Sequence, residues 1–262
     1  MKRFLLLIAL CLFALHSNAQ QWEFGVQGGA AGYIGDLNQR NLLQVSGAMQ
    51  GLHLRYNING HWSIKASLSK AQVEAADSTS KYAEQRQRNL SFYTPFTEGA
   101  LIGEFNFMEY LPGDRYHDFT PFVYGGIAAV NYTPKAIYNG QTYDLRPLNL
   151  EQSPQTYGTT AVAVPFGAGV KFNLFSSVSL TADVGYRTVY SDHFDDVSGN
   201  YADRNTFVDP IARALSDRSG ERTGVYIGTA GSQRGDYRKH DTYVFFGLSL
   251  SYTILGQKCY YK

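Results

Sequence analysis

The stretch Asp192-His193-Phe194-Asp195-Asp196-Val197-Ser198 gathers carboxylates, an imidazole and a hydroxyl. Those are parts of a hydrolase or of a metal site. A hydroxyl becomes a nucleophile only when a base lies within hydrogen-bond reach, and local spacing does not supply that. The Asp195-Asp196 pair lacks the alternating acids and the glycine of a calcium loop. The plainer reading is a loop whose acids cap turns. Gly35-Asp36-Leu37-Asn38, after Tyr33, reads as a turn for the same reason. Gly224 to Arg234 has scattered glycines but no phosphate-loop spacing ending in Lys-Ser or Lys-Thr. Cys259 has no His near it and is a poor candidate nucleophile. The residues alone thus favour turn-capping acids over a catalytic or metal centre, and no catalytic residue, metal, cofactor or small-molecule substrate is expected.

The elements that would position these groups are strands. From Val244 to Ile254, Val244, Phe246, Leu248, Leu250, Tyr252 and Ile254 alternate with Phe245, Gly247, Ser249, Ser251 and Thr253. A strand sends successive side chains to opposite faces, so one face meets lipid and the other a polar interior. Seven further segments repeat the pattern: 22–27, 52–58, 62–69, 101–107, 122–132, 166–174 and 178–187. In the fifth of these, Phe122, Tyr124, Ala128, Val130 and Tyr132 are assigned to the lipid face. Eight strands suit an all-β fold, an antiparallel up-and-down transmembrane barrel. A soluble sandwich is disfavoured because its outward face should be polar. Connections at 59–61 and 175–177 are tight and that at 111–120 is moderate, whereas those at 35–45, 75–94, 135–161 and 191–241 are long. Short periplasmic turns and long outer loops are the outer-membrane arrangement. Trp22, Trp62, Phe107, Tyr110 and Phe122 would then form an aromatic girdle at the periplasmic end. Ile211, Ala212 and Leu215 have helical spacing within the last loop.

The inward face carries Glu23, Arg55, Lys65, Glu104, Lys171, Asp183 and Arg187. An eight-stranded barrel is just wide enough for side chains to fill it, and buried charges must pair. Mixed signs favour a plugged lumen over a conducting pore.

Lys2 and Arg3 followed by the apolar run Phe4 to Leu15 read as a signal peptide, with cleavage expected after Ala19. The division is then a signal at 1–19, a barrel at 20–255 and a periplasmic tail at 256–262. The 23 Lys and Arg nearly match the 22 Asp and Glu, which gives no basic footprint for nucleic acid. Beyond the signal no apolar run is long enough for a membrane helix. Twenty Tyr, 16 Phe and 26 Gly with 17% charged residues fit an exported β protein instead.

Several ordered motifs carry a resemblance. They are Tyr33-Ile34-Gly35-Asp36-Leu37-Asn38, Pro95-Phe96-Thr97-Glu98 leading into Gly103 to Phe107, and Pro121 to Gly126. Pro165 to Lys171, Gly185-Tyr186-Arg187-Thr188, Asp192 to Tyr201 and the final strand with Cys259 follow in order. Together they resemble the PorG-like family of outer-membrane barrels, whose members are associated with type IX protein secretion. The resemblance implies a non-enzymatic scaffold in the outer-membrane lipids that contacts a periplasmic ring built from a lipoprotein and its partner. Gly35, Asp36, Leu37 and Asn38, with Asp195, Asp196, Val197 and Ser198, are the motif residues. If the ring binds from the periplasm, it meets the short turns or the tail. Lys258, Cys259, Tyr260 and Tyr261 are the expected partner surface. A small porin, a surface adhesin using the long loops, and a hydrolase using Asp192 to Ser198 are the alternatives.

Overall fold

The computed structural model describes residues 21–38, 44–114, 116–154, 156–236 and 238–254. The expected signal and the tail residues Lys258, Cys259, Tyr260 and Tyr261 lie outside them. Among the described residues there are ten strands. They are β1 (Gln21–Ile34), β2 (Val45–Asn57), β3 (Trp62–Ala76), β4 (Ser91–Asn106) and β5 (Phe119–Tyr132). Then come β6 (Lys135–Tyr138), β7 (Gln141–Asp144), β8 (Thr160–Phe175), β9 (Val178–Val189) and β10 (Thr242–Ile254). Eight of them form a closed antiparallel ring in the order β3-β2-β1-β10-β9-β8-β5-β4, sealed by β3 against β4. Closure leaves no open edge within the ring, the condition for a sheet in lipid. β6 and β7 form a small hairpin above the rim, joined to β4 at Tyr93 and Lys135.

The outward face is apolar around the ring. Val26, Leu52, Leu68, Leu101, Ile127, Val162, Phe166, Val184 and Leu248 are all exposed. On β3 this band runs from Trp62 to Leu68, after which Lys70, Gln72 and Glu74 face outward. The ring therefore rises beyond the lipid on the long-loop side. At the other end Trp22 packs on Tyr56, and Trp62, Phe105 and Phe107 pack in series, which forms the girdle.

Two girdle assignments fail. Tyr110 and Phe122 are both buried inside the barrel at 1% exposure. The face assigned to β5 is also reversed: Phe122, Tyr124, Ala128, Val130 and Tyr132 point inward, and Val123 and Ile127 meet lipid. The cause lies on the neighbouring strands. Phe122 pairs across from Gly169 and Tyr124 from Gly167. A Cβ on Gly169 would sit 2.8 Å from the Phe122 ring, and one on Gly167 2.7 Å from the Tyr124 ring. The glycines make room for two inward aromatics, and volume complementarity overrides the alternation signal.

The long connections cap the ring. The helix Ala83–Arg88 and the helix Pro210–Ser216 both lie in them, the second where the helical spacing of Ile211, Ala212 and Leu215 places it. Leu37, Leu90, Leu145, Leu150, Val197, Phe207 and Leu215 are buried together, forming an apolar layer continuous with the upper barrel.

Candidate functional site in the lumen and its cap

Six of the seven predicted lumen charges are buried, and Asp183 is half-buried on the same face. They fall into two tiers. In the tier near the short turns, Arg55 bonds Glu23 at 2.7 Å and Glu104 at 2.9 Å. Lys171 and Lys65 also reach Glu104, at 2.7 and 3.2 Å. Asn57 donates to Glu23 at 2.6 Å and Ser63 to Glu104 at 3.1 Å. The Lys171 ammonium stands 4.7 Å over the Phe122 ring, which explains one of the inward aromatics.

Asp183 and Arg187 belong to a second tier. Arg187 lies 3.5 Å from Glu98 and 4.3 Å over Phe245. Tyr243 also donates to Glu98, and Tyr124 donates to Asp183 at 2.9 Å. Glu98 is the lumen residue that sequence reasoning missed. It shares the buried face of β4 with Glu104, but Gly99 and Ala100 separate it from the clear apolar alternation that begins at Leu101. With it, four cations (Arg55, Lys65, Lys171, Arg187) face four carboxylates (Glu23, Glu98, Glu104, Asp183). Pairing of that kind offsets the desolvation that isolated charges would suffer.

Above the second tier the Asp192–Ser198 segment turns into the barrel mouth. Phe194 is fully buried there, with ring centres 5.1 Å from Tyr132, 5.2 Å from Phe96 and 5.5 Å from Tyr243. Polar anchors hold it. Thr94 donates to the Phe194 carbonyl at 2.7 Å, the Phe194 amide to Asp241 at 3.0 Å, and the Val197 amide to Asp195 at 2.9 Å. The Tyr33 hydroxyl lies 2.5 Å from Asp195 and 3.0 Å from Asp241. One hydroxyl holds one proton, so satisfying both contacts requires a second proton on one of the carboxyls. Gly35 is required beside it, because a Cβ there would sit 2.0 Å from the Tyr33 hydroxyl.

The electrostatics agree. Burial, then the charge of Asp241, raises Asp195 well above the usual carboxylate range. Burial, then Asp36, does the same to Asp241, and burial with Asp195 raises Asp36. Burial lifts Asp192 to about 7, with Asp236 and Glu151 adding to it. Burial also lifts Asp196 to about 7, against the pull of Arg234. Asp36, Asp192 and Asp241 bring carboxylate oxygens within 4.8 Å of one another, close enough to hold a cation. The two motif segments thus converge on one acid-rich knot that ties β1 to the cap.

The hydrolase parts do not assemble. Ser198 Oγ lies 3.1 Å from His193 Nε2, but it donates to Glu151 at 2.7 Å. In a triad the acid orients the far ring nitrogen of the histidine rather than holding the nucleophile's proton. Here Glu151 also accepts from the Ser198 amide at 2.9 Å and from Arg234 at 2.8 Å. Burial opposes its ionisation, yet Arg234 and Ser198 outweigh burial and hold it below the usual range. His193 stacks on Tyr157 at 4.4 Å. These groups clamp the cap. Glu151, Tyr157 and Arg234 were not foreseen, since they come from loops whose folding no local pattern reveals.

Residues 2–209 match the model of a domain of unknown function, DUF6089. The chain belongs to that family. No curated protein matches the sequence. Among solved structures it is similar to Ail, the attachment invasion locus protein of Yersinia pestis, in complex with the heparin analogue sucrose octasulfate. That likeness has 10% identity, covers 90% of this chain and 100% of that one, and has a TM-score of 0.42. OprG of Pseudomonas aeruginosa shares 9% identity over 92% of this chain and 99% of its own, with a TM-score of 0.43. Neisserial surface protein A shares 9% over 90% and 97%, at 0.40. These relatives are outer-membrane barrels, and at such distances their likeness says nothing about activity.

Proposed function

We propose that this barrel is a non-enzymatic outer-membrane anchor for a periplasmic ring complex of a type IX-like secretion machine. The observation that carries the anchor reading is the filled interior. Its charges are paired in two tiers, and Phe194 fills the mouth above them. A barrel with no free bore acts through its surfaces. The secretion role itself rests on the motif resemblance, and the tail 256–262 remains the first proposed contact. Among the described residues the short-turn rim adds Phe107, Met108, Tyr116 and Phe175, all exposed, with Tyr116 at 92%. Exposed aromatics at a rim are what a protein partner would cover.

The test is affinity purification from envelope membranes with mass spectrometry of co-purifying proteins. The expected partners are a periplasmic lipoprotein and its associated ring protein. Deleting Gln257 to Lys262, or combining Met108→Ser with Tyr116→Ser, should reduce their recovery several-fold while the barrel stays heat-modifiable. Recovery of no ring protein by the native chain would refute the reading. A second reading, surface attachment, is favoured by the exposed Val208, Val225 and Tyr226 on the cap. Under it, Val208→Ser with Val225→Ser would lower cell adhesion and leave secretion unchanged.

A further inference from the structure

We infer that an apolar groove on the lipid-facing wall, beneath Lys70, holds one phosphate-bearing anionic lipid of the outer leaflet. The inference is independent of the secretion reading, which concerns the short-turn end of the barrel.

The groove crosses β3, β2, β1 and β10 and has a volume of about 780 Å³. That is the size of a ligand site, roughly 300–1,000 Å³. Leu68 and Leu52 line it on the β3 side. Phe24 and Tyr252 line it on the β10 side, with ring centres 5.6 Å apart. Ala66 opens it. This residue faces outward between Leu54 on β2 and Leu101 on β4, and its methyl leaves a gap between the longer side chains.

The slope of the groove follows from the register. Trp22 pairs with Tyr56, Tyr56 with Ile64 and Ile64 with Gly103. Continued through Gly125, Phe166, Tyr186 and Val244, the row returns to β1 at Gly32, toward the long-loop end. Each row therefore climbs from β1 through β2 to β3, the stagger that closes a tilted barrel. In the other direction, the row through Leu68, Leu52, Val26 and Leu250 descends from β3 to β10. An acyl chain lying in the groove thus runs down into the bilayer from a head at β3.

Lys70 stands at that head. It is exposed on the same outward face of β3, two residues past Leu68, where the apolar band ends. Gln50 on β2 and Thr97 on β4 flank it as cross-strand partners. Such partners lie about 5 Å apart, so an ammonium, an amide and a hydroxyl stand side by side as donors. The next outward carboxylate of β3 is Glu74, four residues on. At about 13 Å along the strand it lies beyond the screening length of about 8 Å at physiological salt. A lysine at the edge of hydrocarbon extends its ammonium to the headgroup level and is stabilised there by negative charge. A phosphate offers that charge with several acceptor oxygens, and a zwitterionic headgroup offsets it with its own cation. The three donors and the groove below them therefore select an anionic phospholipid.

The test is native mass spectrometry of the full refolded chain, released from detergent micelles titrated with dimyristoyl phosphatidic acid or dimyristoyl phosphatidylcholine. The native chain should retain one phosphatidic acid about fivefold more tightly than phosphatidylcholine, the worth of one lysine at a charged lipid surface. Lys70→Gln should abolish the preference, and Lys135→Gln, on the hairpin above the rim, should keep it. Ala66→Phe fills the groove and should weaken both lipids several-fold while the barrel stays heat-modifiable. Equal retention of the two lipids by the native chain, or a preference that survives Lys70→Gln, would overturn the inference. So would undiminished retention by folded Ala66→Phe, or a dimer in place of the lipid adduct, which would assign the groove to a second copy.

Discussion

Glu104→Gln tests whether the lumen network is structural. Glu104 accepts from Arg55, Lys171, Lys65 and Ser63 at 2.9, 2.7, 3.2 and 3.1 Å. The glutamine keeps the shape but removes the charge, leaving three cations facing Glu23. At an effective dielectric of about 20, each contact near 3 Å has a gross attraction of about 5 kcal/mol, mostly offset by desolvation. Removing one partner of a buried pair exposes that desolvation uncompensated, at about 3–5 kcal/mol. Urea unfolding of the barrel in lipid vesicles reads the loss directly. Trp22 and Trp62, the two tryptophans of the chain, lie on the lipid face close to this tier, so their emission reports the transition. With a slope of about 1–3 kcal/mol per molar urea, the midpoint should fall by about 1–5 M. The double variant Glu104→Gln with Lys171→Met removes the excess cation and should recover part of the loss. Glu74→Gln, on the exposed outer face of β3, should leave the midpoint in place. A fall under about 0.5 M for Glu104→Gln would refute the pairing argument.

Phe194→Ala should cost about 3–5 kcal/mol, as for other buried Phe truncations, and show as faster proteolysis of the 191–241 loop with the ring intact. The cap should also weaken as pH rises. Its carboxyls hold protons more tightly folded than unfolded, with Asp192 and Asp196 at about 7 and Asp36 raised. The stability they contribute is complete below about pH 4 and is lost as pH passes the folded values. Amide exchange at Phe194 and Val197, corrected for intrinsic rates, should therefore be faster at pH 9 than at pH 5, and a flat profile would contradict the assignment. In planar bilayers the native chain should show no sustained open-channel steps, and reproducible steps would defeat the filled-lumen account.

Much of the ring was legible because strand alternation is a local signal. The faces of β1, β2, β3, β8, β9 and the lower part of β10 follow it directly. β5 did not, because Phe122 and Tyr124 are as apolar as Val123 and Ile127. Hydrophobicity cannot choose between two apolar faces. The deciding information sits on β8 as Gly167 and Gly169, and only the cross-strand register joins them. Glu98 is hidden because the clear apolar alternation of β4 begins only at Leu101, so the pattern does not reach the Pro95 to Glu98 segment. Arg55, Glu23 and Glu104 were found by face alone. Their partners could not be, because pairing across a lumen depends on shear as well as alternation.

The cap and the lumen bury carboxylates in opposite ways. In the lumen each acid has a cation or a phenol against it, and the count of charges closes with Glu98. In the knot around Tyr33, the contacts of Asp195 and Asp241 are a tyrosine hydroxyl and backbone amides. Those donors stabilise one negative charge but not several within a few ångströms of each other. The knot must therefore carry extra protons or a cation, whereas the lumen is balanced by its own side chains. This difference follows from position. Lipid surrounds the lumen tiers, so their neutrality has to be built in. The knot lies past Lys70, Gln72 and Glu74, on the watery side of the band, where protons and ions can be exchanged. A cap whose charge can change, fixed to a ring whose charge cannot, concentrates any response to the outside medium in the segment that holds Phe194 in the mouth.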